Sequence, residues 1–357
     1  MTTTERRTTP KVDDATARLL NELQDHYPLV ERPYAEVGER LGMTEDEVVQ
    51  RLRDARAAGV VRQVCAIFDT KTLGYSSALV AAKVPADQLE HAAKVVNAHP
   101  GVSHNYRRNH EFNMWYTVAM PPGHDLQTVI DRLCVLSGAE SMRNMPTLRL
   151  FKIGVTLDVA GERAVDARGA PEYSDEKREQ AVGKLVSDTD IAYIRATQGN
   201  LDDVATPFES IAANLGWTVD QVIEYGRAMQ ERGVLRRYAA ILNHREAGFR
   251  ANGMAVWNVP VEKIEEFGQF VAGYRNVSHC YQRPVYEDWP YNVFSMIHAP
   301  RAEGVEAVAE AIATQTGITD HRVLYSSDEF KKIRLPYYVD SYDHWEDLCE
   351  AAAKDHS

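Results

Sequence analysis

The chain runs through one succession of hydrophobic patterns and then repeats it. Apolar residues recur at three- and four-residue spacing over 13–23, 33–41 and 45–58, which predicts three short helices. Period-two and short apolar runs then predict strands at 61–69 and 76–84, a helix at 86–98 and strands at 102–109 and 112–120. A helix at 125–137 and a strand at 144–153 complete the first series. The second series has strands at 235–242 and 252–259, a helix at 261–273 and strands at 277–284 and 291–298. It closes with a helix at 302–316 and a strand at 320–328.

Aligned identities make the two series copies of one unit. Pro33 recurs as Pro207, 174 positions on, and the same offset pairs Leu41 with Leu215, Gly42 with Gly216 and Gly59 with Gly233. Further along, Phe112-Asn113 aligns with Tyr291-Asn292 at an offset of 179. The second copy therefore gains residues in the turn that holds Glu287-Asp288-Trp289-Pro290. Repetition of this kind indicates one fold used twice.

Local signals refine each unit. Thr44-x-x-Glu47 and Thr218-x-x-Gln221 read as capping boxes that open the third helix of each head. Gly59 and Gly233 sit where a left-handed residue closes it. Three short helices with a tight turn resemble a helix-turn-helix or winged-helix head. Omitting the strand that leaves the head, the remainder reads β-α-β-β-α-β, a ferredoxin-like sandwich. The expected fold is α+β: a tandem duplication of a helix-turn-helix head plus a ferredoxin-like sandwich. The expected bounds are head 13–60, sandwich 61–158, linker 159–186, head 187–234 and sandwich 235–340. Helices would cover one face of each sheet, and the two remaining faces would pair across a shared interior.

One stretch in each sandwich is chemically unusual. Val102-Ser103-His104-Asn105-Tyr106-Arg107-Arg108 recurs as Val277-Ser278-His279-Cys280-Tyr281-Gln282-Arg283. On a strand, alternate side chains share a face, so Val, His, Tyr and Arg are expected together. A purely structural strand would hold Val, Ile or Leu there.

Composition narrows the function. The chain has 357 residues, 44% hydrophobic and 26% charged, an ordinary globular balance. No apolar run approaches the roughly 20 residues of a membrane helix. The polar start lacks a signal-peptide core, so no membrane partner and a cytoplasmic location are expected. Four scattered cysteines argue against a disulfide framework or zinc site. A net charge of −12 disfavours a general nucleic-acid binder.

The head-plus-sandwich arrangement resembles the Lrp/AsnC regulators, so a transcription regulator or haem sensor is the alternative to weigh. Yet the third helix of the first head begins Thr44-Glu45-Asp46-Glu47, which would repel phosphate where a recognition helix meets DNA. Around the polar strands lie His110, Trp115, Arg149 and Lys152, with Phe294 and Lys331 in the second copy. Arg forks suit carboxylates, aromatic planes can cover a flat ligand, and imidazole is a common iron ligand. Together they fit a planar, iron-containing polycarboxylate.

The stretches around these residues resemble the siroheme decarboxylases of the fused two-subunit type. Those that carry the likeness are Tyr27–Tyr34, His99–Arg107, His110–Thr117, Val277–Tyr281, Pro290–Phe294 and Phe330–Lys332. The resemblance implies a carboxy-lyase that removes carbon dioxide from the acetates at C12 and C18 of siroheme, in haem d1 or alternative haem biosynthesis. It implies no cofactor beyond the iron tetrapyrrole substrate. His104, His279, Tyr106 and Tyr281 are the candidate proton donors, with His104 or His279 as axial ligand of the substrate iron. Arg107, Arg108, His110, Trp115, Arg149, Lys152, Arg283, Phe294 and Lys331 are the candidate substrate-binding residues. The duplication implies an internal pseudo-dimer, with further pairing of two whole chains as a homodimer left open. Arg107 aligns with Gln282, so the two pockets are expected to differ.

Overall fold

A computed structural model describes residues 12–153, 186–242, 251–299 and 301–355. The expected linker at 159–186 lies, except for its last residue, outside the described residues. The chain divides into two compact units, one holding both helical heads and the other both sandwiches.

In the head unit, α1 (Asp14–Asp25) is capped by Asp13, whose carboxylate accepts from Thr16 N at 2.7 Å. Helix α2 (Pro33–Leu41) starts on a proline, whose fixed φ suits a first turn, and ends at left-handed Gly42. Helix α3 (Glu45–Ala57) opens at Thr44 and leads, through Gly59 at φ +75°, into β1 (Val61–Phe68). The second head repeats this, with α6 (Asp188–Thr197), α7 (Glu209–Leu215), α8 (Val219–Glu231) and β7 (Leu235–Leu242). Only one of the two expected capping boxes is complete. Thr218 and Gln221 exchange both bonds, whereas the Glu47 carboxylate turns instead to Arg51 at 2.9 Å. An ion pair one turn along competes with the backbone for that carboxylate.

The heads are bound to each other. Strands β1 and β7 pair antiparallel. Arg53 of α3 donates to the Asp203 carbonyl, and Arg227 of α8 donates to the Leu29 carbonyl. These four residues are 174 positions apart in pairs, so each head grips the other by the same bond. Arg56 adds a two-pronged pair with the Asp203 carboxylate, both bonds at 2.7 Å. The arginines of α3 are thus committed within the protein.

The sandwich unit holds one nine-stranded sheet. The first repeat supplies β2 (Ser76–Lys83), α4 (Leu89–Ala98), β3 (Val102–Arg108), β4 (Met114–Met120), α5 (Leu126–Ser137), β5 (Ser141–Met145) and β6 (Arg149–Ile153). The second supplies β8 (Ala251–Trp257), α9 (Ile264–Ala272), β9 (Val277–Gln282), β10 (Val293–Ala299), α10 (Ala302–Thr316) and β11 (His321–Lys332). Sheet order is β5-β2-β4-β3-β11-β8-β10-β9-β6.

The single strand expected at 144–153 is in fact two. Pro146 cannot donate to a ladder, and the chain breaks there. Strand β5 pairs with β2 of its own repeat, while β6 crosses to pair with β9 of the other. Strand β11 does the same unbroken: His321–Tyr325 pair with β8, and Ser326–Lys332 cross to β3. Each repeat therefore lends its last strand to its twin, an exchange the sequence pattern did not indicate.

The expected pairing of faces is present as well. Trp115 and Phe112 of the first repeat pack with Trp289, Tyr291 and Phe294 of the second. Trp115 and Trp289 lie with ring centroids 5.1 Å apart. Each such aromatic buries roughly 150–250 Å², about 4–6 kcal/mol at roughly 25 cal/mol per Å². On the outer side, α9 and α10 cover the second half-sheet. The first half-sheet is covered by α4 and α5, and α11 (Trp345–Lys354), a helix beyond the end expected at 340, packs on both. Arg132 of α5 pairs with Glu346 and Glu350 of α11.

Gly268 marks how closely the exchanged strand docks, since a Cβ there would lie 2.4 Å from the Phe151 ring of β6. Gly268→Ala should therefore cost about 1–3 kcal/mol as overpacking, read as a lowered midpoint in urea unfolding.

Candidate active site

The two polar strands do not follow a simple alternation. The register slips between Val102 and His104 in β3, and between the positions opposite His279 and Val277 in β9. A bulge of this kind inserts one residue and re-aims its neighbours. Val277 consequently joins Cys280 in the core under the helices. The expectation that Val shares a face with His is thus corrected, and Ser takes its place. Ser103 Oγ lies 3.0 Å from His104 Nδ1, and Ser278 Oγ lies 2.7 Å from His279 Nδ1.

Beyond each bulge the expected face is intact. The His104 and Tyr106 rings are 6.2 Å apart, and those of His279 and Tyr281 are 6.0 Å apart and stacked. Tyr106 stands opposite Trp115, and Tyr281 opposite Phe294, so both faces adjoin the aromatic core between the half-sheets. Trp115 is fixed by donation from Nε1 to the Phe112 carbonyl at 2.7 Å. His110 is half-buried, accepts from Phe112 N at 3.1 Å and lies 5.2 Å from Trp289. Burial lowers the His110 pKa.

The cationic candidates divide by face. Arg108 and Arg283 end the His-Tyr rows but are buried, and each reaches a main-chain carbonyl of the other repeat. Arg108 donates to Leu324 O at 2.8 Å, and Arg283 donates to Met145 O. Burial pushes the Arg108 guanidinium down to about 10. Arg283 also lies over the Tyr281 ring at 4.9 Å. Arg107 stands on the opposite side of β3, exposed, 3.7 Å from Asp328. Lys331 and Lys152 sit opposite Asn105 and Cys280, on the helix-facing side. They donate to the His99 and Tyr274 carbonyls at 3.2 and 2.7 Å. Arg149 is exposed and pairs with Glu265. Arg107, Lys152, Lys331 and Arg149 are therefore not gathered beside the histidines.

Other residues stand there instead. Lys332 is opposite His104 and Glu329 is opposite Tyr106, both on the strand that crosses over from the second repeat. A strand exchange was needed to place them, and no spacing in the sequence signals one. His298 Nε2 lies 2.6 Å from Ser278 Oγ. Trp289, fully buried, comes from the inserted turn, which folds back through paired bonds between Tyr286 and Trp289.

Known proteins carry the same construction. A family model described as the siroheme decarboxylase NirDL-like HTH domain matches residues 16–62 and 190–236. One described as the AsnC-like ligand binding domain matches 72–152 and 246–331. A siroheme decarboxylase of Hydrogenobacter thermophilus is 36% identical over 329 residues, covering 92% of this chain and 96% of that one. The chain belongs to the siroheme decarboxylase family. A crystal structure of the siroheme decarboxylase NirDL matches with a TM-score of 0.72 and 32% identity, covering 96% of this chain and all of that one. A second, in co-complex with an iron-uroporphyrin III analogue, matches with the same score and identity over 95% of this chain and 99% of that one.

In this member of the siroheme decarboxylase family the two faces have unequal neighbours. Beside His104 and Tyr106 the crossing strand presents Lys332 and Glu329, 3.9 Å apart. The positions opposite His279 and Tyr281 are Ile153 and Leu150.

The loop into β3 is held by His99, fully buried, whose Nδ1 accepts from Gly101 N at 2.9 Å. Burial lowers its pKa to about 3. The unfolded chain takes up a proton near 6.5, and the folded one does not until far lower. Stability contributed by His99 is thus present above about pH 6.5 and falls as pH drops towards 3, by at most about 1.4 kcal/mol per pH unit. Urea unfolding at pH 7 and 4.5 should show a smaller loss in His99→Gln than in wild type.

Proposed function

We propose that the chain decarboxylates siroheme at the acetates on C12 and C18, giving didecarboxysiroheme for haem d1 or alternative haem biosynthesis. The observation that carries this reading is the matched pair of His-Tyr faces, in a chain 36% identical to a siroheme decarboxylase over 92% of its length. The substrate brings its own iron, which His104 or His279 would hold. We place the work in the cytoplasm; no helix among the described residues is long and apolar enough to cross a membrane.

Loss of carbon dioxide leaves an electron pair on a methylene carbon, and a proton must arrive there. His104 and His279 are the candidates for the acid, the one that does not hold the iron giving the proton, with Tyr106 and Tyr281 as second donors. A positioned general acid contributes roughly 10²–10⁴ in rate. The core of Trp115, Trp289 and Phe294 supplies the apolar wall that the scissile carboxylate requires. An Arg clamped on that carboxylate would stabilise the ground state and slow the step. Arg108 and Arg283 each donate to a carbonyl of the other repeat and remain candidates for a carboxylate that is retained. Lys332 is added to the candidates for a carboxylate that is retained.

Anaerobic incubation with siroheme, followed by mass spectrometry of the tetrapyrrole, should show loss of two carbon dioxide units. At least one of His104→Ala and His279→Ala should lower turnover at least ~10²-fold. Intact siroheme with a Soret shift would favour a haem sensor instead.

A further inference from the structure

The second repeat holds a histidine that the scheme above does not use. His298 of β10 is partly exposed. Ser278 Oγ lies 2.6 Å from His298 Nε2 and 2.7 Å from His279 Nδ1, so one hydroxyl bridges two imidazoles. The bulge in β9 creates this bridge by bringing Ser278 round beside His279. The first repeat has no equivalent. His298 N donates to Asn276 O, and the matching bond there runs from Ala119 N to Gly101 O. Alanine thus stands where the second repeat has histidine. Ser103 bonds Thr117 Oγ1 at 2.8 Å, and that hydroxyl does not change charge near neutral pH.

With the iron left to His104, we infer that His298 and Ser278 relay a proton to His279, which makes the second repeat the proton-delivering face. This rests on the decarboxylase reading. In each step the bond between methylene and carboxylate breaks, its electron pair stays on carbon, and carbon dioxide leaves. A new C–H bond forms with the proton from His279 Nε2. As Nε2 loses that proton, Nδ1 takes one from the Ser278 hydroxyl, which is restored by the protonated Nε2 of His298. One proton is consumed per acetate, two per siroheme. His298 recovers its proton from water, and His279 returns to its first tautomer by exchange with water after product leaves. Ser278 and His298 are positioning residues, since they reach the substrate only through His279.

The test compares wild type, Ser278→Ala, His298→Gln and His298→Ala with siroheme under anaerobic conditions. Glutamine can keep a hydrogen bond to Ser278 but cannot pass a proton on. The relay predicts a kcat at least about tenfold lower in all three variants. Siroheme affinity, from a Soret titration, should stay within about twofold on the same scale. Added imidazole should restore part of the His298→Ala rate. Wild-type kcat in His298→Gln would reduce His298 to a hydrogen-bond prop and overturn the relay. A matched loss of affinity and thermal stability in all variants would likewise overturn it. Wild type that leaves siroheme intact would instead defeat the decarboxylase reading itself.

Discussion

The structure depends on the exchange of last strands between the repeats. Backbone bonds from β11 to β3 and from β6 to β9 join the two sandwiches into one sheet. A strand edge left open would expose a row of unpaired donors and acceptors, and each repeat closes the other's. The side chains that secure the exchange come in matched pairs. Arg108 holds Leu324 as Arg283 holds Met145, and Lys331 holds His99 as Lys152 holds Tyr274. These cations lie in the polar stretches and at the crossing strands, so the parts that look catalytic and the parts that fasten the fold are interleaved.

A shared fold does not make the two faces alike. The crossing strand brings Lys332 and Glu329 to one histidine and Ile153 and Leu150 to the register positions of the other. The inserted turn adds Trp289 between the half-sheets on one repeat's account only. The repeated scaffold is thus the same, while the crossing strands and the longer turn give each copy its own neighbours. The same logic runs through the heads, where Arg53 and Arg227 grip opposite carbonyls and so tie up the helices that a DNA reader would present.

Much of this was legible from periodicity and local chemistry. Asn113 and Asn292, aligned by their offset, each exchange two bonds with the main chain of Val84 and Val259. The left-handed glycines after α3 and α8 fall where the pattern placed them. What stayed hidden needed tertiary context. Pro146 hinted at a break, but a break does not say which strand β6 joins. Bulges at Ser103 and Ser278 defeat period-two reasoning by one residue, which moved Val off the histidine face and brought Ser onto it. Arg107, Lys152 and Lys331 carried the right charge for carboxylates, yet the ladder set them on the far side.

The central proposal is that siroheme binds at a His-Tyr face beside the aromatic core. A crystal structure of the full chain with siroheme, grown without oxygen, tests it most directly. The account predicts the macrocycle against the Trp115 and Phe294 core, with its acetates within hydrogen-bond reach of His104 or His279. A macrocycle seated away from both histidines would contradict it.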